Sequence, residues 1–244
     1  MKLKVLFFIL TTTIIACNSS KPQLLRSSGF NLSNSDGKAI SIANEVVNAS
    51  GGVKAWNDTR YIGWNFFGSR RHVWDKQTGD VFIKSLKTPI EIRMNINDKI
   101  GQVWMNNELT TEPDSLSKYL QKGYEWWVND SYWLVLPFKL QDSGVSLKYL
   151  GDGTTEDGTA ADLLSLTFDK VGVTPQNKYH IYVDKSSRHI SQWDFYVNAN
   201  DDEARFKIPW KNYFPYGNIQ LSGDRGQMAI TDIRVGEMLK DSLE

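Results

Sequence analysis

The sequence predicts a mainly β, α+β fold: about eleven antiparallel strands, one helix ahead of them and a helical segment in mid-chain. Three observations predict it. Apolar residues recur at helical spacing only before residue 50 and between about 111 and 128, whereas most of the remaining chain alternates with period two. The alternating runs are joined by short, turn-rich links, which favours an antiparallel meander. Nine Trp, ten Tyr and eleven Phe supply the large side chains that suit wide sheets and apolar pockets.

The first segment is a leader. Lys2 and Lys4 precede an apolar run from Val5 to Ile15, far shorter than the ~20 residues a spanning helix needs. It ends in Ile14-Ile15-Ala16-Cys17, which resembles a lipobox, and Cys17 is the only cysteine of the chain. Residues 1–16 are therefore expected to be a signal peptide, with Cys17 the lipid-bearing N-terminus of the mature protein. Two or three acyl chains anchor stably where one does not. Loss of Lys2 and Lys4 takes the basic count from 28 to 26 against 28 acidic residues, so no nucleic-acid footprint is expected. Residues 17–36 read as a flexible tether, polar and turn-prone around Asn18–Pro22 and Ser27–Gly29. Residues 37–244 read as one domain with one core.

Within that domain, Asp36 is a candidate N-cap for a helix carrying Ile40, Ala43, Val46 and Val47, ended by Gly51-Gly52; a further helical turn covers Val53–Asn57. Strands are then expected at Ile62–Phe66, His72–Trp74, Val81–Ile83, Ile90–Asn97 and Ile100–Met105. Thr111-x-x-Asp114 with Pro113 opens the mid-chain helix, Leu116, Tyr119 and Leu120 share its face, and Gly123 sits where a C-cap belongs. A second short turn is expected at Tyr124–Val128. Strands resume at Tyr132–Leu136, Ser146–Leu150, Asp162–Phe168, Lys178–Val183, His189–Val197, Arg205–Trp210, Asn218–Leu221 and Gln227–Val235. The stretch Gly151–Gly158 reads as a flexible turn, and Asp201-Asp202-Glu203 as a solvated hairpin tip.

Several motifs carry a family resemblance. They are Gly51-Gly52-Val53-Lys54-Ala55-Trp56, Tyr61-Ile62-Gly63-Trp64-Asn65-Phe66-Phe67-Gly68 and Trp74-Asp75-Lys76-Gln77-Thr78-Gly79-Asp80. Later come Tyr132-Trp133-Leu134-Val135-Leu136-Pro137-Phe138-Lys139-Leu140 and Lys178-Tyr179-His180-Ile181-Tyr182-Val183-Asp184. Together with the element order, they resemble the LolA/LolB-like lipoprotein-carrier superfamily over roughly residues 38–237, and more closely uncharacterised lipoproteins of Bacteroidota. The resemblance implies an unclosed β-barrel, or half-barrel, around helices, with an acyl chain or another hydrophobic ligand in its concavity. It implies a lipid or acylated protein as partner; separately, the chain is expected to be a monomer. Asn18-Ser19-Ser20-Lys21 lacks the acidic residues common after the lipidated cysteine of Bacteroidota surface lipoproteins, which favours the periplasmic face of the outer membrane.

Candidate cavity residues on the apolar strand faces are Ile62, Trp64, Phe66, Trp74, Ile92, Met94, Met105, Tyr132, Leu134, Trp193 and Phe195; packing into a filled core is the competing expectation for each. Candidate lid residues are Leu116, Tyr119, Leu120, Trp126 and Trp127. Enzyme chemistry finds little support. No H-E-x-x-H or G-x-S-x-G occurs, and no cysteine remains as a nucleophile after lipidation. His72, His180 and His189 read as surface sheet residues. Asp75, Asp80, Asp162, Asp194 and Asp232 are not paired by any motif. No cofactor and no metal site are expected. A lipid-binding, non-enzymatic lipoprotein is the leading expectation, and a carbohydrate-binding or structural assembly lipoprotein is the alternative.

Overall fold

The computed structural model describes residues 24–169 and 171–243. The expected signal peptide and Cys17 lie outside the described residues.

Helix α1 spans Gly37–Ala49 and buries Ala39, Ile42, Ala43, Val46 and Val47, the face its spacing predicts. Asp36 precedes it but does not cap it: its carboxylate accepts from the Tyr149 backbone N–H at 2.9 Å and from Lys148 at 3.3 Å. Helix α2 spans Gly52–Asp58. Between them Gly51 sits at φ +114, and a Cβ there would meet the Asn218 carbonyl oxygen at 2.5 Å, so only glycine fits this approach.

The large sheet is a meander of β1 (Tyr61–Phe66), β2 (Arg70–Asp75), β3 (Asp80–Ser85), β4 (Ile90–Asn95), β5 (Gly101–Met105) and the two-residue β6 (Glu108–Leu109). The smaller sheet follows in sequence, with β7 (Val145–Thr154), β8 (Ala160–Phe168), β9 (Lys178–Asp184), β10 (Ile190–Tyr196) and β11 (Phe206–Pro209). The chain then returns to the large sheet with β12 (Lys211–Tyr216), β13 (Ile219–Arg225) and β14 (Met228–Val235). The nine-stranded order is β12-β13-β14-β1-β2-β3-β4-β5-β6, and the five-stranded order is β11-β10-β9-β8-β7. Every ladder is antiparallel and neither sheet closes on itself, so the fold is α+β with two open antiparallel sheets.

The described strands number fourteen, against about eleven expected. β6 and β12 were not anticipated. Gly151–Thr154, expected as a turn, continues β7 past a register shift at Tyr149/Gly151.

Helix α3 departs most from expectation. It is one 23-residue helix, Pro113–Val135. Its N-cap is Glu112, whose carboxylate accepts from the N–H groups of Asp114 and Ser115, and not Thr111. Gly123 lies inside it, where an added Cβ would meet Ile92 Cδ1 at 3.0 Å and Met94 Sδ at 3.2 Å. Its role is close approach to β4, not helix termination. The expected strand at 132–136 is the last turn of α3 running into a 3-10 turn at Leu136–Phe138. The physical reason is placement. α3 touches both sheets, so apolar residues occur on several of its sides and blur the helical period.

Two cores result. The inner face of the large sheet packs Ile62, Trp64, Val81, Ile83 and Val103 against Trp56 of α2 and Leu134 and Val135 of α3. The inner face of the small sheet packs Leu147, Leu164, Leu166 and Ile181 against α1 and Leu136. Tyr61, Val73 and Phe82, on the outer face of the large sheet, are covered by Leu239 near the C-terminus.

From Leu24 onward, the segment read as a tether is laid along the body. Ser27 N–H donates to the Gln141 carbonyl, Asn31 N–H to Val145 and Asp36 N–H to Leu147, while Phe30 is buried. It thereby covers part of the free edge of β7. No described helix is long and apolar enough to cross a membrane.

Candidate functional site

Where the second half of α3 crosses the small sheet, the packing leaves a pocket of about 280 Å³. That is close to the lower end of the ~300–1,000 Å³ common for small-molecule sites. Its walls come from four places. α3 contributes Tyr124, Trp127, Val128, Tyr132 and Trp133; the segment after it contributes Lys139, Asp142, Ser143 and Val145; the end of β8 and its following loop give Phe168 and Val171–Thr174; and β9 and β10 give Tyr179 and Trp193.

The walls are aromatic and mutually braced. Tyr179 stacks on Trp193 at 4.9 Å, and Trp133 meets Trp193 edge-on at 4.5 Å. Tyr132 stands 6.0 Å from Phe168 and 5.9 Å from Tyr179. Such rings give a rigid apolar surface at little entropic cost. Tyr179 and Trp193 share a face because residues two apart along β9, Tyr179 and Ile181, point the same way and Trp193 pairs with Ile181 across the ladder.

Polar groups are few. Lys139 Nζ binds Asp142 Oδ2 at 2.8 Å and lies 5.8 Å from the Trp127 ring centroid. Glu125 accepts from Gln121 at 2.9 Å. The Tyr132 hydroxyl and the indole N–H groups of Trp127 and Trp193 are buried with no hydrogen-bond partner among the described residues. An unmet buried donor costs about 1–3 kcal/mol. Burial pushes the phenols of Tyr132 and Tyr179 well above the ordinary tyrosine range, so both are neutral.

The expected cavity residues divide between two places. Ile62, Trp64, Phe66, Trp74, Ile92 and Met94 lie in the packed core of the large sheet, together with Leu134, which is on α3 and not on a strand. Met105 is half-buried at the margin of that core. Tyr132 and Trp193 line the pocket, and Phe195 lies beside it, stacked on Phe206 at 4.8 Å. Among the expected lid residues, Leu116, Tyr119, Leu120 and Trp126 pack half-buried against the large-sheet core. Trp127 lines the pocket and meets Trp74 edge-on at 5.2 Å. Phe168, Tyr179 and Trp133 were missed; the alternation Tyr179-Ile181-Val183 carried the signal for Tyr179.

The histidines need correction. None is a free surface residue. His72 is fully buried, stacks on Trp64 at 4.6 Å, and its Nε2 lies 2.7 Å from Asp130 Oδ2. Asp130 also receives Arg70 through Nε at 2.6 Å and Nη2 at 2.9 Å. Burial lowers His72 below its ordinary value and keeps it neutral, because Arg70 already answers the carboxylate. Burial opposes the charge on Asp130, but the bonds from His72 and Arg70 together outweigh it and hold the carboxyl below its usual range. His180 Nδ1 meets the Tyr196 hydroxyl at 3.0 Å, and His189 Nε2 meets the Ala49 carbonyl at 3.0 Å. The unpaired carboxylates of the sequence all have partners: Asp75 with Arg60, Asp162 with Arg188, Asp80 with Asn95, Asp194 with Tyr182, and Asp232 with Arg234. Among the described residues no cluster of three or more His, Cys, Asp or Glu could hold a metal.

No family model matches the chain, and no curated protein matches it. Among solved structures, the chain is similar to a DUF1329 family protein from Desulfovibrio piger, at 12% identity over 84% of this chain and 97% of that one, with a TM-score of 0.46. It is similar to a putative outer membrane lipoprotein-sorting protein domain from Vibrio parahaemolyticus, at 13% identity over 84% and 98% of the two chains, with a TM-score of 0.40. MucB is a third, at 13% identity over 86% of this chain and 63% of its own, with a TM-score of 0.28.

Proposed function

We propose that this protein is a lipid-anchored, non-enzymatic binder of a hydrophobic ligand, holding the apolar part of a lipid or acylated molecule in the pocket between α3 and the five-stranded sheet. The observation that carries the proposal is the pocket itself: about 280 Å³ walled by Trp127, Tyr132, Trp133, Phe168, Tyr179 and Trp193. In this reading Cys17 carries the acyl anchor at the cell envelope, on the periplasmic face of the outer membrane. Six residues lie between Cys17 and Leu24, so the two are at most about 25 Å apart along the chain. Residues 26 and 27 are tied to Gln141, next to the Lys139–Ser143 wall, so the anchor would keep the pocket near the bilayer.

The test uses the full-length chain with Cys17→Ser to block acylation, titrated with N-phenylnaphthylamine, a neutral fluorophore that brightens in apolar sites. Saturable brightening is expected, and Val128→Trp, which fills the pocket from α3, should abolish it without lowering the melting temperature. Absence of probe uptake, together with no lipid retained in native mass spectra of protein purified from cells, would falsify the reading.

A further inference from the structure

A second hollow lies on the outer face of the large sheet, the side turned away from α3. It holds about 140 Å³, half the volume of the α3 pocket, and it opens to solvent. Its walls are largely polar. Lys84 and Ser85 end β3, Thr88 follows in the link to β4, Glu91 is on β4, Trp104 on β5 and Asn107 in the turn after it. Such a lining does not suit an acyl chain.

Strand register explains the grouping. Arg71 pairs with Lys84, Lys84 with Glu91 and Glu91 with Trp104, so the four form one row across that face. In the next row Arg93 pairs with Phe82, and its guanidinium carbon lies 5.5 Å from the ring centroids of both Phe82 and Trp104.

Charge on this face is unbalanced. The two rows supply Arg71, Lys84 and Arg93, and the β3–β4 link adds the exposed Lys87. Glu91 is the one carboxylate in these rows, and it is shared loosely, 3.9 Å from Lys84 and 3.4 Å from Arg93. Arg71 and Lys87 have no carboxylate partner among the described residues. Arg71 and Lys84 also stand directly opposite each other, an unfavourable placement for like charges. The whole chain carries 28 basic and 28 acidic residues, so the excess is local. A bound anion would relieve it.

The remaining walls say what the anion is attached to. Trp104 is half-buried and gives the hollow one aromatic surface. Ser85, Thr88 and Asn107 offer hydroxyls and an amide that both donate and accept. A sugar ring presents an apolar C–H face to an indole and hydroxyls around its edge. A bare inorganic anion has no use for the indole. We propose that this hollow binds an acidic saccharide, with the ring against Trp104, its carboxylate met by Lys84 with Arg71 behind it, and its hydroxyls met by Ser85, Thr88 and Asn107. The site is separate from the α3 pocket and does not depend on it.

Isothermal titration of the full-length Cys17→Ser chain tests it with two sugars that differ only at C6, a β-1,4-linked glucuronic acid tetramer and cellotetraose. At low salt the acidic tetramer should bind about tenfold tighter. The gap should narrow at about 1 M salt, where screening reaches ~3 Å. Trp104→Ala should weaken the acidic tetramer about tenfold and Arg71→Gln about threefold. Glu91→Gln should tighten it, because the competing carboxylate is gone. Should Trp104→Ala fail to fold, the exchanges at Arg71 and Glu91 decide. Vesicles of phosphatidylglycerol form the third arm. Equal binding of the two sugars, a Glu91→Gln chain that binds no tighter, or no binding of either sugar overturns the proposal. Vesicle binding without sugar binding makes this face a membrane contact and overturns it too. None of these outcomes bears on the α3 pocket.

Discussion

Asp130 shows how a single side chain holds the helix that forms one wall of the pocket. Its carboxylate is fully buried and takes three short bonds from Arg70 and His72, both on β2. Removing it leaves the half-buried Arg70 guanidinium without its carboxylate and the buried His72 imidazole without its partner, so Asp130→Ala should cost about 3 kcal/mol in a urea unfolding titration. A pH dependence follows from the same cluster. His72 has a folded pKa below its ordinary 6.5, so the unfolded chain binds the proton more readily. Stability is therefore full above pH 6.5 and falls as the pH drops below it. Asp130, held below 3.8, adds a second loss as the pH falls through its lowered folded value. His180 and His189 are lowered by burial too and act in the first window. The urea midpoint should fall between pH 7 and pH 5, and His72→Gln should make that fall shallower without removing it. A midpoint independent of pH over this range would contradict the neutral, buried His72.

At the scale of the element, α3 is fastened at both ends and pressed close in the middle. Glu112 caps its N-terminus. At its C-terminal end Arg225 of β13 donates to the Trp133 carbonyl at 2.6 Å, lies 3.5 Å over the Trp210 ring, and is itself buried. Burial pushes that guanidinium down to about 9, which still leaves it charged at neutral pH beside helix carbonyls that favour a cation. Gly123 sets the approach to β4. Gly123→Ala would ordinarily stabilise a helix by up to about 1 kcal/mol. Here the new methyl meets Ile92 and Met94 at 3.0–3.2 Å. Overpacking of about 1–3 kcal/mol should win, giving a net loss of about 1 kcal/mol in the unfolding titration. A gain in stability would mean that β4 and α3 can part without cost.

At the scale of the molecule, the two sheets are joined through α3 and the strand change at Trp210. Trp133 packs against both cores, and Trp210 meets Trp193 edge-on at 5.7 Å. A ligand seated between α3 and the small sheet would tighten that joint in the folded state only. A ligand at about one hundred times its Kd adds roughly 2.7 kcal/mol. For a chain of this length, that is a rise in Tm of about 5–10 °C by calorimetry, absent in Val128→Trp. Most strands were legible in the sequence because a period of two reports one-sided burial directly, but which face turned inward was not, and Tyr61, Val73 and Phe82 are buried on the outer face as well. The helix α3 was only half legible: Gly123 looked like a stop, and Tyr132–Leu136 looked like a strand, because a helix between two sheets is apolar on several sides. The site was legible in fragments, as Trp127 and Tyr132, both on α3, and the distant Trp193 on β10.

By itself the sequence determined the α+β class, the position of α1, the run of strands from β1 to β5 and the one-sided faces that became two cores, since these depend on neighbours two to four residues apart. Tertiary structure decided where space remained. Residues on the inner face of the large sheet and residues on the inner face of the small sheet look alike as apolar alternation. Only the path of α3 fills the first hollow and leaves the second partly open, because a void is set by the sum of volumes brought together from distant segments, and no local pattern records that sum.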